Sequence, residues 1–382
     1  MFVTGDLQIQ EGPRFDDTKN ALNSMVQFSQ INRLQKAVIL GDIYERNDVM
    51  AGSPSELVFL QFIVQLLRLN MTVYILLGNH DISTDGTSLL ASLDKIAPWV
   101  AAHDDVAHEK QTLYVISEPR IIDNMAFVPY PQKTTIKASG FLEREYMKSV
   151  IDSLNMEEND VGFLFLHCDI AGAEPEKGMS QPSDAIQVQD FNRWCTRGGH
   201  TLNYVVAGHY HKHQVLEGAN IPVMYVGSPT HVTFASGNDP KGFIHVHEGF
   251  SKTLCNFIEI PSRHQIELVY NMEEDNVDEW LSKVSNIRGA HVKVRVIYQK
   301  GRCDALSLRK IKDFLRENGA YNVLPTPVQR NVQADGVTVH TESVADIDVL
   351  RQYLREVQGL TEIDNLLALA KDKYMINAQV QE

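Results

Sequence analysis

Eight polar side chains stand just behind apolar runs in this 382-residue chain, and their types are those that hold divalent metal ions. Phe2-Val3-Thr4 leads to Asp6 and Gln8, and Ala37-Val38-Ile39-Leu40 leads to Gly41-Asp42. Val73-Tyr74-Ile75-Leu76-Leu77 leads to Gly78-Asn79-His80-Asp81. Gly162–Leu166 ends in His167, and Tyr204–Ala207 ends in Gly208-His209-Tyr210-His211. Carboxylate, amide and imidazole without thiolate suit Mn²⁺, Fe²⁺ or Mg²⁺ better than structural zinc. Gly-Asp and Gly-Asn are also ordinary turn dipeptides. The weight therefore rests on five segments that end alike, with His-Tyr-His the most specific and Gly41-Asp42 the least. Two ions about 3.5–4 Å apart need a bridging carboxylate, and Asp42 is the natural bridge. Such a pair activates water towards a phosphorus centre and draws charge from its non-bridging oxygens. His80 either protonates or steadies the leaving oxygen.

The apolar runs are the elements that must position these groups. Each reads as a buried strand with its polar group at the C-terminal end, the edge where open α/β sheets place their ligands. Between them the pattern calls for helices over about 18–36, with Leu22, Met25, Phe28, Ile31 or Asn32, and Leu34 near one side, over 54–69, and over 87–96. Strand, helix, strand, helix, strand reads as β-α-β units, so the fold class is α/β. Helix 54–69 is apolar over much of its circumference, which implies either full burial or a face shared with a partner subunit. Shorter strands are expected at 113–116 and 125–128, a helix over 141–154, and further strands near 223–226, 243–246 and 254–260. Beyond a boundary at 262, residues 290–298 alternate, with Val292, Val294 and Val296 on one face and Lys293 and Arg295 on the other. A helix is expected over 305–317, a linker over 326–343, and two helices within 344–382.

At 43% hydrophobic and 22% charged residues the composition is that of an ordinary globular protein. No apolar stretch approaches the length of a membrane span and no secretory leader is expected, so the expected location is cytoplasmic, bacterial or, for a virus, that of the host. The four cysteines are far apart, which fits reduced thiols better than disulfides. The net charge of −14 argues against a generic nucleic-acid binder, yet residues 283–312 carry nine Lys and Arg and one acid, Asp304. That segment is either a solvated face or a contact to phosphate groups.

The order D-x-Q, G-D, G-N-H-D, H, G-H-x-H resembles the calcineurin-like metallophosphoesterases. Gly41-Asp42-Ile43-Tyr44, Gly227-Ser228-Pro229 and the small second domain resemble, within them, the SbcD/Mre nucleases of DNA double-strand-break repair. The resemblance implies a two-sheet sandwich flanked by helices over 1–262, a small α+β DNA-capping domain over 263–325, the linker, and a C-terminal helix pair over 344–382. It implies one metal on Asp6, Gln8, Asp42 and His211, a second on Asp42, Asn79, His167 and His209, and His80 as the catalytic histidine. The ions would be Mn²⁺, with Mg²⁺ as the alternative. Gln8 departs from the family, which has histidine there. The partners implied are DNA, through Lys293, Arg295, Lys300, Arg302, Arg309 and Lys310, a second copy of the chain through helices 54–69 and 87–96, and an SbcC-type ATPase bound by the C-terminal helices, with no membrane contact. The chain has no G-x-x-x-x-G-K-[ST] loop of its own, so ATP dependence would come from that partner. The activity implied is duplex exonuclease and single-strand endonuclease. Hydrolysis of small phosphodiesters or phosphoproteins is the alternative enzyme, and a scaffold that has lost a metal the non-enzymatic one.

Overall fold

The computed structural model describes residues 1–83, 86–99, 112–156, 161–175, 181–195, 202–234, 239–248, 253–299 and 305–330. It divides into two compact units, Met1–Ser262 and Arg263–Glu382. The expected linker from 331 onward, the helices of 344–382, Lys300 and Arg302 lie outside the described residues.

The first unit begins as the β-α-β series that the apolar runs predict. The elements are β1 (Phe2–Thr4), α1 (Phe15–Asn32), β2 (Lys36–Ile39), α2 (Pro54–Arg68), β3 (Thr72–Leu76), α3 (Ala91–Ile96) and β4 (Leu113–Ile116). These four strands are parallel neighbours in chain order. A second series follows: β5 (Arg120–Ile122), β6 (Met125–Val128), α4 (Lys133–Ser139), α5 (Glu143–Ser153) and β7 (Phe163–His167). After a two-residue ladder of β8 (Ile170–Ala171) with β9 (Ile186–Gln187) come β10 (Tyr204–Gly208), β11 (Gln214–Leu216) and β12 (Val223–Tyr225). Here β6, β7, β10 and β12 are parallel, with β5 and β11 as antiparallel edges. The chain then returns to the first sheet as β13 (Gly242–Glu248), antiparallel to β1, and β14 (Thr253–Glu259). Two six-stranded mixed sheets result, ordered β14-β13-β1-β2-β3-β4 and β11-β12-β10-β7-β6-β5.

The sheets pack face to face. Val3, Val38, Leu40, Tyr74 and Leu76 from the first meet Phe127, Phe165, Val206 and Val226 from the second in one buried cluster. Six rings run through it in contact, from Tyr114 by Tyr74, Phe127, Phe165 and Phe163 to Tyr204, with centroids 5.2–5.7 Å apart. The outer face of the first sheet is covered by α1, α2 and α3, and that of the second by α5 and the helical turn Val188–Trp194. Strands buried on both faces explain why the runs are continuously apolar rather than alternating. One expectation about the helices needs correction. Ile31 is exposed, because a period of 3.6 from Leu22 and Met25 carries the buried stripe to Ser29 instead. On α2, Phe59, Phe62, Ile63 and Leu66 are buried, whereas Leu57 and Val64 face outward.

The second unit is a three-stranded parallel sheet, β15 (Gln265–Asn271), β16 (His291–Gln299) and β17 (Asn322–Arg330), linked by α6 (Val277–Lys283) and α7 (Ala305–Glu317). Val292, Val294 and Val296 are buried against Leu281 of α6 and Leu308, Ile311 and Leu315 of α7. Residues 326–330, expected to open the linker, are the second half of β17. Pro325 and Pro327 hid that strand. They stand two apart, so they remove N–H groups from one side of an edge strand only, where the ladder does not need them. Among the described residues no helix is long and apolar enough to cross a membrane.

Candidate metal centre

All five polar segments leave their strands at the C-terminal ends, three from the first sheet and two from the second. Packing the sheets face to face brings these ends together, and the local backbone adapts to the crowding. Asp6, Gln8, Asp42 and His209 all have positive φ, at 50°, 46°, 51° and 107°. Such conformations cost energy for non-glycine residues and collect at functional sites. The glycines of the motifs serve close approach. A Cβ on Gly78 would lie 2.2 Å from Asp42 Oδ1, and one on Gly41 would lie 2.4 Å from the Gly78 nitrogen. Gly-Asp and Gly-Asn are therefore two faces of one backbone contact.

Asp81, quoted in the motif but given no role there, is the staple that holds this contact. Its fully buried carboxylate accepts the N–H groups of Asp42, Ile43 and Gly78, each at 2.8 Å. Burial and the nearby Asp42 charge push Asp81 above the usual carboxylate range, and they push Asp6 up in the same sense. Lys241 is a further buried participant that the sequence did not single out. Its ammonium donates to the His211 carbonyl oxygen at 2.8 Å, and Ser228 of Gly227-Ser228-Pro229 donates its backbone N–H to the same oxygen at 3.0 Å.

The donor atoms themselves converge. His167 donates Nδ1–H to the Leu40 carbonyl oxygen at 2.6 Å, which leaves Nε2 without a proton in the neutral ring. Burial pulls the His167 pKa down to about 4, so the ring is neutral near pH 7. That bare nitrogen lies 3.1 Å from Asn79 Oδ1 and 3.4 Å from Asp42 Oδ1, and His209 Nδ1 lies 3.0 Å from the same Asn79 oxygen. The unprotonated His167 Nε2 facing the Asn79 and Asp42 oxygens sets acceptors against one another, an arrangement a cation would satisfy. Octahedral ligands at 2.0–2.1 Å have neighbouring donors roughly 3 Å apart. The expected second set, Asp42, Asn79, His167 and His209, thus meets at one point and fits a divalent ion, and Asp42, His167 and His209 form a compact ligand group.

The first set adjoins it. Asp6 is fully buried and accepts the His209 backbone N–H at 2.9 Å, and Gln8 Nε2 donates to Asp42 Oδ2 at 3.1 Å. His211 follows His209 on the same loop and is buried. Glutamine thus meets the shared carboxylate as a hydrogen-bond donor, where a neutral imidazole ligand would offer a lone pair. His80 is differently placed. Its Nδ1 lies 2.7 Å from the Glu45 carbonyl oxygen, which fixes the ring with Nε2 turned towards Asp42, 4.0 Å from Oδ2. Its side chain keeps 39% exposure and, with Glu45, Arg46, Asn47, Asp48 and Asn79, lines a surface pocket of about 340 Å³. A group at the rim, facing the metal ligands and open to solvent, is suited to a leaving group rather than to holding an ion.

Residues 1–213 match the family model described as calcineurin-like phosphoesterase. The chain belongs to the calcineurin-like phosphoesterase family. The matched span contains Asp6, Gln8, Asp42, Asn79, His80, His167, His209 and His211. Membership implies divalent metal ions and a phosphoester hydrolase, and the donor set described above fits such ions. No curated protein matches the sequence. Solved structures that resemble it include GAP50, the anchor in the inner membrane complex of Plasmodium, at 12% identity over 68% of this chain and 83% of that one, with a TM-score of 0.38. A dimetal phosphatase from Danio rerio is similar at 12% identity over 64% and 91%, TM-score 0.37. The phosphopantetheinyl hydrolase of Mycobacterium tuberculosis is similar at 12% identity over 60% and 89%, TM-score 0.32. At these scores the likenesses carry no argument about function.

The four described residues of those expected to contact DNA fall into two separate pairs. Lys293 and Arg295 lie on the open face of the three-stranded sheet, 3.5 and 3.8 Å from Glu267 on β15. Arg309 and Lys310 lie on the outward side of α7, on the other layer, beside Asp313 at 3.6 Å and Asp278 at 2.5 Å. Each of the four has an acidic neighbour. A strand's period of two and a helix's period of 3.6 sent neighbouring charges to opposite faces.

Proposed function

We propose that this chain is a metal-dependent DNA nuclease, cutting phosphodiester bonds from duplex ends and within single strands, as the nuclease subunit of an SbcCD-like end-processing complex. The observation that carries the hydrolytic part is the meeting of Asp42, Asn79, His167 and His209 around bare lone pairs, with His80 opposite them. Divalent ions held there, Mn²⁺ in this reading, supply Lewis-acid polarisation of the phosphoryl oxygens. Asp42 presents one oxygen towards His167 and the other towards Gln8, so one carboxylate reaches both ligand sets. Asp6 and Asp81 hold the backbone that carries these ligands, and His80, whose Nδ1–H is given to the Glu45 carbonyl oxygen, protonates the leaving oxygen from its doubly protonated form, in which Nε2 also carries a proton.

Specificity for DNA is supported by the motif series and by the rim position of His80, which a polymer can reach. The partner copy is supported by the outward Leu57 and Val64 of α2, with Met50 exposed in the loop before it. Ile63 belongs to the core and is not part of that face, so Leu57→Glu with Val64→Glu is the substitution that addresses a dimer. Digestion of end-labelled duplex and single-stranded DNA with Mn²⁺ tests the reading. Wild type cuts both, and His80→Ala and Asp42→Ala lose activity by roughly 10²–10³-fold or more, the scale of removing one group that stabilises transition-state charge. Faster turnover of a small phosphodiester than of DNA would favour the second reading, hydrolysis of small phosphodiesters or phosphoproteins. That reading draws support from the acidic neighbours of all four described basic residues.

A further inference from the structure

His209 carries the largest positive φ of the non-glycine candidate ligands, 107°, at the first position past β10. Something beyond the strand must fix its ring. One side is accounted for by Nδ1, which lies 3.0 Å from Asn79 Oδ1 inside the donor cluster. The other nitrogen, Nε2, lies 3.5 Å from Asp169 Oδ1. Asp169 is buried, and its Oδ1 also accepts the Tyr210 hydroxyl at 2.5 Å. Tyr210 is itself buried, so the residue between the two histidines of His-Tyr-His is not a spacer. The loop that carries Asp169 is held in turn by Tyr225, whose hydroxyl accepts the Ile170 N–H and donates to the Cys168 carbonyl oxygen, both at 2.8 Å.

We propose that Asp169, steadied by Tyr210, is a positioning residue for His209: it keeps the proton on Nε2 so that the Nδ1 lone pair is aimed at the ion held with Asp42, Asn79 and His167. The proposal rests on the metal reading above. A ligating histidine that donates its other N–H to a carboxylate has a fixed tautomer and orientation, and removal of such a carboxylate costs about 10–100-fold in metal affinity. The arrangement also explains why a carboxylate is kept buried two positions beyond His167, where it serves neither as a ligand nor as a surface ion pair. The buried carboxylate is satisfied there by the Tyr210 hydroxyl at 2.5 Å and the His209 ring at 3.5 Å.

Calorimetric titration of the full chain with Mn²⁺, together with long-range ¹H–¹⁵N correlation of the His209 ring in metal-free protein, tests this. Wild type binds two ions, and its His209 ring carries the proton on Nε2. Asp169→Ala weakens one of the two ions by about 10–100-fold, leaves the other unchanged and removes the tautomer preference. Asp169→Asn, whose side-chain oxygen can still accept from Nε2, restores most of the affinity, and Tyr210→Phe has a smaller effect in the same direction. Should Asp169→Ala not fold, Asp169→Leu, which fills the buried space but cannot accept from Nε2, carries the test, and wild-type affinities with an unchanged tautomer in it overturn the proposal. Two unchanged affinities in folded Asp169→Ala overturn it while leaving the metal reading intact. A wild type that binds no Mn²⁺ overturns both.

Discussion

In the first unit, candidate ligands spread from Asp6 to His211 leave five strands in two sheets at one edge, and Asp42, Asn79, His167 and His209 meet there. In the second, charges crowded into residues 283–312 separate onto the open face of a sheet and the outer side of a helix. Distance along the chain therefore predicts neither. What decides is position within an element. A residue just past the C-terminal end of a parallel strand is carried to a common edge whatever its number, because every parallel strand delivers its end there. A residue inside an element is assigned to a face by the period of that element, so a run of like charges disperses.

The sharpest way to break this contrast is to loosen the edge without touching a ligand. Asp81→Ala would leave three buried backbone N–H groups without their shared acceptor, and the metal-free protein should lose about 3–9 kcal/mol, at roughly 1–3 kcal/mol for each unsatisfied group. Urea unfolding of wild type and variant measures this. A change under about 1 kcal/mol would mean that the two loops are held by something else. Next in size is a pair of charge reversals in the second unit, Lys293→Glu with Arg295→Glu and Arg309→Glu with Lys310→Glu. Since the two pairs lie on opposite layers, a single duplex meets at most one of them. One double variant should weaken DNA binding and lower the salt slope by roughly 1 for each phosphate no longer neutralised, while the other leaves both unchanged. Equal weakening by both would show that the layers act as one surface. The smallest expected effect is that of Gln8→His, which replaces a donor to Asp42 with an imidazole able to ligate. It should tighten the first ion several-fold in a Mn²⁺ titration and leave the second alone, and identical affinities would remove Gln8 from the ligand set.

Much of the first unit could be read in the residues, because continuous apolar runs such as Val73–Leu77 and Phe163–Leu166 have few other uses than buried parallel strands. The strands at 113–116 and 125–128 and the helix 305–317 lie where the pattern puts them. What escaped was of a different kind. Helix α4 buries none of its residues, so no hydrophobic period marks it. Strand β15 alternates Ile266, Leu268 and Tyr270 with Gln265, Glu267, Val269 and Asn271, and Asn276 caps α6 by accepting from the Asp278 and Glu279 N–H groups, signals that were present but short. Strand β17 was masked by its prolines. At the site, the groups that come together, Asp42, Asn79, His167 and His209, were legible as candidate ligands, whereas the roles of Asp81, Asp169, Tyr210 and Lys241 were not, because these residues bond other side chains and backbone groups. Such roles depend on partners distant in sequence, as with Lys241 and the His211 carbonyl.

The account stands or falls with the number of ions the carboxyl edge holds. Calorimetric titration of wild type and Asp42→Ala with Mn²⁺ measures it directly. If one carboxylate serves both ligand sets, wild type takes up two ions per chain and Asp42→Ala loses affinity for both. Binding of a single ion by wild type, or an Asp42→Ala titration indistinguishable from wild type, would contradict it.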